Sequence, residues 1–372
     1  MKTFSFKPLV AIFATVIALA SCQKDNETAL DSHESQLQTN VQNDDPNAVT
    51  DRANCEQSIT IPANSVDALA AAIANICTGG TIWLAPGLHT ENAGVIIGKR
   101  VNIKGQEGAG LKIQATSLVD FSEAIDVALH FKYATNSKLE NIDIQPTTAI
   151  GGTAVLLENS GGTTVNKCHL NDFQWSILVE KSVGVKITNN VVVASTAWQT
   201  GAIPEADGII VINGHGAQIK GNEVSGALFG IWPCDKDGIC QNNFTHHNYI
   251  GTILCKVPAN SFVLPSGEFT GANFPCTHWT VTNNNSENNF TAGYIVIDGA
   301  NNNKLINNNA SGNGTYDIEL VGDSYRFGFL TPFSHDNVVH AGSFQNITIK
   351  DCGQNNTVYG GVEVDTSVDP CN

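Results

Sequence analysis

A short phrase recurs along the chain: an apolar residue, two small or polar residues, then asparagine. It reads Ile187-Thr188-Asn189-Asn190, Ile219-Lys220-Gly221-Asn222, Ile239-Cys240-Gln241-Asn242, Val281-Thr282-Asn283-Asn284 and Leu305-Ile306-Asn307-Asn308. A variant ends in cysteine at Val165-Asn166-Lys167-Cys168 and Ile349-Lys350-Asp351-Cys352. The closest copies are roughly 20–24 residues apart, a period that marks a solenoid. Ahead of the copies lie apolar, β-rich runs bounded by Gly, Asn or Ser: Ala154–Leu157, Ser176–Val179, Gly208–Ile212, Gly251–Leu254 and Tyr294–Ile297. Short strands at this period stack into coils that share one core and pair each strand with its copies above and below. Asn suits the turns, because it tolerates left-handed backbone and bonds its own neighbourhood. Stacked Asn side chains can also bond along the axis.

From residue 65 the pattern changes to a helical one. Ser65 is placed to cap a helix whose face carries Val66, Leu69, Ala70, Ile73 and Ile76, with Gly79-Gly80 ending it. The strands Thr81–Gly87 and Val101–Gly105 follow. A solenoid needs such a cap, since an open coil exposes strand edges and apolar core. Helix, strand ending in Pro-Gly and Asn-phrased coils together resemble the right-handed parallel β-helix proteins of the pectin-lyase-like superfamily, over roughly residues 60–360. The resemblance implies an all-β, right-handed parallel β-helix with a short N-terminal capping helix.

The first 21 residues read as a targeting segment. Lys2 and Lys7 precede an apolar run too short to span a membrane. Leu19-Ala20-Ser21-Cys22 resembles the lipobox of bacterial lipoproteins, which implies an acylated Cys22 and attachment to a membrane by lipid. Gln23-Lys24-Asp25-Asn26-Glu27 resembles the acidic tag of surface-displayed outer-membrane lipoproteins; a periplasmic facing is the alternative. Residues 22–53 are polar and acidic and read as a tether, leaving 54–372 as one β-helix domain.

The net charge is −16, and Arg52, Arg100 and Arg326 are the only arginines. Nothing tracks a phosphate backbone, so nucleic acid is excluded as a partner. A glycan partner and a monomeric state are expected. Beyond Cys22 nine cysteines remain. Export permits disulfides, and neighbours along the chain suggest Cys55–Cys77, Cys234–Cys240, Cys255–Cys276 and Cys352–Cys371, with Cys168 unpaired and buried.

Wide spacings between Asn copies place insertions at about 194–206 and 256–277. If both project from one side, they flank a groove on the central coils. Glu205, Asp207, Asp235 and Asp237 are the candidate acid/base residues for glycoside cleavage. For a β-elimination, Lys181, His215 or Lys256 would be the base, with Asp207, Asp235 and Asp237 offering hard oxygen ligands to Ca²⁺. Trp198, Trp232, Trp279 and His246 are candidate sugar contacts. Glu205-Ala206-Asp207-Gly208 with Gly214-His215-Gly216 is similar to polygalacturonase motifs, but the Asp-Asp pair and the Arg-Ile-Lys element are missing. The leading expectation is a β-helix lipoprotein that binds or processes carbohydrate. The alternative is a non-catalytic scaffold, adhesin-like protein or periplasmic carrier.

Overall fold

The computed structural model describes residues 55–371, apart from 121, 258–260, 272–273, 323, 327–328 and 369–370. Residues 56–324 and 331–372 form one compact unit. The signal segment, Cys22 and the tether lie outside the described residues.

This unit is a right-handed parallel β-helix. Its wall consists of parallel sheets of 12, 11 and 9 strands, and each strand pairs with the equivalent strand of the next coil. One continuous core runs along the axis, from Ile61 and Leu69 to Ile347 and Ile349. The capping helix is shorter than expected. It spans Leu69–Asn75 and sets Leu69, Ala72 and Ile73 on the end of the core. Ser65 does not cap it; its hydroxyl donates to the Pro62 carbonyl instead. Gly79 and Gly80 do not end it either, because the chain passes directly into the strand Ile76–Leu84.

The Asn phrase resolves into two positions with different tasks. The first supplies left-handed backbone: φ is 56° at Asn189, 56° at Asn242, 54° at Asn283 and 55° at Asn307, with Gly221 in the same role. The second builds a buried ladder of Asn190, Asn222, Asn243, Asn284 and Asn308. In each step the Nδ2 donates to the next Oδ1 at 2.9 Å. The same Nδ2 groups donate to a carbonyl one coil back, such as Val165 O at 3.0 Å and Ile219 O at 2.9 Å. Two sequence assignments shift. Cys240 pairs with Ile219, so that copy of the phrase is Cys240-Gln241-Asn242-Asn243. The Ile349 copy lies on a different sheet, where Ile349 pairs with Ile318.

Cys168 occupies the first rung of the ladder. Its N–H donates to Asn190 Oδ1 at 2.9 Å, while its Sγ lies 3.7 Å from the Leu139 carbonyl. A thiol is a weak donor where the other rungs place an amide. Cys168→Asn is therefore expected to raise stability by about 1 kcal/mol in urea unfolding.

The expected Cys352–Cys371 bridge is formed, and Cys55 and Cys77 are disulfide-bonded. Cys168, Cys234, Cys240, Cys255 and Cys276 are buried free thiols. The inner pairings Cys234–Cys240 and Cys255–Cys276 are thus not made, because one member of each packs in the interior and the other does not. Cys240 and Cys276 belong to the interior cluster, and Cys234 and Cys255 do not.

Candidate functional site

The 11-stranded sheet carries the long strands, and its central strands are buried on both faces. All eight residues of Gly151–Glu158 and of Phe173–Glu180 are buried. The in-and-out alternation that marks a solvated face is absent because the sheet's outer surface is roofed. A hairpin pairs Phe262–Val263 with Phe269–Thr270 within the expected 256–277 insertion. Phe262 packs edge-on against Trp175, with centroids 5.4 Å apart. Ile125 N donates to Val263 O at 2.8 Å, and Asn213 Nδ2 to Thr270 Oγ1 at 3.2 Å. Leu118 N donates to Gln174 Oε1 at 2.7 Å. The insertion therefore covers the central coils, whereas the sequence pattern suggested that it would flank an open groove.

Beneath this roof the chain sets Asp207 beside Trp175 on the neighbouring coil. Glu205 ends the first insertion two residues earlier, and both carboxyls are buried. Phe229 N donates to Asp207 Oδ1 at 3.1 Å. Burial pushes Glu205 up to about 7, against a hydrogen bond from the Trp175 side chain. Burial raises Asp207 well above the carboxylate range, and the neighbouring Glu205 charge raises it further. The Glu205 charge and the burial of both groups oppose ionisation of Asp207, so Asp207 keeps its proton where Glu205 titrates. Thr153 lies one coil further on, opposite Trp175. Thr153 Oγ1 and Asp207 Oδ2 are buried without a hydrogen-bond partner among the described residues. Such groups are costly unless a ligand or water meets them.

Other expected site residues are dispersed. Asp235 lies six residues beyond Phe229, the partner of Asp207, a separation of roughly 20 Å along a strand. Asp237 is an exposed turn residue with φ 60°, 3.8 Å from His278 Nδ1. Asp207, Asp235 and Asp237 thus do not converge on one Ca²⁺. Lys181 is half-exposed, 3.6 Å from Glu180 Oε1 and 3.9 Å from Glu268 Oε2. His215 closes a strand, and its carbonyl accepts from Gly184 N. Lys256 is exposed and close enough to Asp298 to oppose its upward shift.

The tryptophans divide in the same way. Trp279 is a core residue whose Nε1 donates to the Asp235 carbonyl at 3.1 Å, so it offers no platform. Trp232 is buried between Phe229 and the Cys255 thiol. Trp198 remains partly accessible on the 3₁₀ turn Thr196–Thr200, edge-on to Tyr249. His246 bonds Glu223 Oε1 at 3.2 Å, on another face of the solenoid.

Asp298 is a buried acid that sequence reading missed. Burial lifts it to about 7. A carboxyl whose folded pKa exceeds its unfolded value binds the extra proton in the folded state. Its stabilising contribution is full below the unfolded pKa and is lost as pH rises through about 7. Asp298→Asn is expected to remove about 4 kcal/mol of the stability decline between pH 4 and pH 8. Its φ of 57° suits Asn equally well. Urea unfolding across that range checks it.

Fold and site together define a right-handed parallel β-helix with a roofed acidic site on its central coils. The chain belongs to the family described as periplasmic copper-binding protein (NosD), matched over residues 73–263. No curated protein matches it in sequence. Similar solved structures include the Dettilon tailspike protein (gp208), at 16% identity and TM-score 0.49, covering 80% of this chain and 64% of that one. Another is the catalytic domain of a GH87 alpha-1,3-glucanase, at 12% identity and TM-score 0.44, covering 84% and 67%. A third is an alginate lyase from Paenibacillus sp. str. FPU-7, at 14% identity and TM-score 0.39, covering 83% and 99%. The chain spans about two-thirds of the length of the first two.

The family description raises copper, which favours imidazole, thiolate and thioether donors. Among the described residues no three His, Cys, Asp or Glu side chains gather. The only methionine is Met1, outside the described residues. Burial raises the Cys234 and Cys255 thiols, which disfavours the thiolates a metal needs. These donors do not fit a resident copper centre.

Proposed function

We propose that this protein binds or processes carbohydrate on the roofed face of its central coils, with Glu205 and Asp207 as the reacting acids. The observation that carries this reading is the buried Glu205–Asp207 pair against Trp175. A glycosidic bond needs one protonated acid to help the leaving oxygen and one ionised carboxylate on the other side. A Glu205 that titrates at about 7 beside an Asp207 that keeps its proton supplies both forms near neutral pH. Trp175 offers an apolar face, and Thr153 Oγ1 offers a polar atom for a sugar hydroxyl. A substrate reaches the pair once the hairpin leaves Trp175. Trp198 lies on the first insertion, as Glu205 does, and packs against the small apolar cluster of Ala194, Ile203, Ala206 and Ala227.

The family description and the lipobox-like segment support an extracytoplasmic place at the cell envelope. Cys22 would be the lipid attachment point and 22–53 the tether, with either the cell surface or the periplasm as location. The rival reading is a non-catalytic periplasmic carrier or scaffold, favoured by the complete cover over the acid pair. The two separate on a panel of neutral and acidic polysaccharides, with and without Ca²⁺. New reducing ends without unsaturated uronate are expected. Unsaturated-uronate absorbance would move the chemistry to elimination, and an unchanged panel would favour the carrier.

A further inference from the structure

The buried thiols include one pair in contact. Cys234 and Cys255 lie on adjacent coils of the 11-stranded sheet, with their Sγ atoms 3.4 Å apart. Phe229 pairs with Ile250 and Ile231 with Thr252, an offset of 21 residues that sets Cys234 directly opposite Cys255. Neighbouring strands lie about 4.8 Å apart, inside the Cα separation of about 4.4–6.8 Å that a disulfide spans without backbone movement. The remaining approach of the two sulfurs needs only side-chain rotation.

We propose that Cys234 and Cys255 are disulfide partners, forming a bond between coils at the root of the roofing insertion. Cys255 directly follows the strand Ile250–Leu254 and precedes the insertion, so the bond ties the start of that segment to the strand below. Cys240 and Cys276 are excluded as partners by position, since both face the interior. Cys168 is excluded as well, because it sits in the Asn ladder of another sheet.

The chemistry is thiol–disulfide exchange. One thiol loses its proton and attacks a disulfide oxidant, such as glutathione disulfide, releasing one thiol of that oxidant and forming a mixed disulfide. The second thiolate then attacks the protein-side sulfur, and the second half of the oxidant leaves as a thiol. Cys234 and Cys255 together lose two protons and two electrons, and the oxidant takes them up. Both residues are closed to solvent once folded, with 0% and 2% exposure. Exchange therefore occurs before the roof packs down, and the finished bond is shielded from reductants.

The test uses the full chain, reduced in denaturant and refolded in a mixture of reduced and oxidised glutathione. Remaining thiols are alkylated under denaturing conditions, and tryptic peptides are read by mass spectrometry. The peptide ending at Lys236 carries Cys234, and the peptide from Asp237 to Lys256 carries both Cys240 and Cys255. The expected result is a covalent join between these two peptides that persists in Cys240→Ser and disappears in Cys255→Ser. Alkylation of both peptides in the wild-type chain would overturn the proposal. So would a join that is lost in Cys240→Ser, because the partner would then be Cys240.

Discussion

Asp207→Asn is expected to lower turnover of any polysaccharide the protein cleaves by at least about 100-fold, the usual contribution of a positioned acid or base. Glu205→Gln is expected to have a similar effect. The amide keeps the shape of the site: its oxygen can still accept from Phe229 N, as Asp207 Oδ1 does at 3.1 Å. What the substitution removes is the protonated acid beside Glu205. A fully buried acid pair is also a burden on the fold. The same substitution is therefore expected to leave urea stability unchanged or higher at pH 8. Lost turnover with retained stability assigns the pair to chemistry. Lost stability with retained turnover would assign it to structure.

The second large effect falls on the ladder. Asn243→Leu is expected to destabilise the β-helix by roughly 4 kcal/mol, because each buried polar group left unpaired costs about 1–3 kcal/mol. Asn243 Oδ1 accepts from both Asn222 N and Asn222 Nδ2 at 2.9 Å. Its Nδ2 donates to Ile219 O and Asn284 Oδ1. Leucine is of similar size but satisfies none of these four groups. A solenoid couples each coil mainly to its neighbours, so loosening should be concentrated around residues 219–284. Hydrogen exchange would register it there first. An Asn243→Leu chain as stable as the wild type would show that the ladder is incidental to the fold.

The solenoid was legible because one residue type repeats at a spacing that only stacking explains. The site was only half legible. Glu205 and Asp207 stand next to an insertion and attract notice as charges. Trp175 and Thr153 do not, because a strand buried on both faces has no polar alternation to mark its outer side. The ladder itself held the missing signal. Asn190 bonds Asn222 at an offset of 32 residues, and the same offset sets Trp175 opposite Asp207. Asn222 bonds Asn243 at an offset of 21, which also sets Cys234 opposite Cys255. The pairings Cys234–Cys240 and Cys255–Cys276 failed because they followed proximity along the chain, whereas a solenoid brings together residues one coil apart. Asp235 and Asp237 were grouped with Asp207 for a similar reason. They follow it by one coil, yet lie near the opposite end of the strand.

The most direct measurement is a pH titration of the Glu205 and Asp207 carboxyl carbons by NMR in ¹³C-labelled protein, with Glu205→Gln and Asp207→Asn used to assign the signals. Glu205 is expected to titrate at about 7, with Asp207 retaining its proton well above the ordinary carboxylate range. Removal of the Glu205 charge should bring Asp207 down. If both carboxyls ionise below about pH 5, near the ordinary carboxylate range, and neither responds to substitution of the other, there is no coupled acid pair, and the site proposed on it fails.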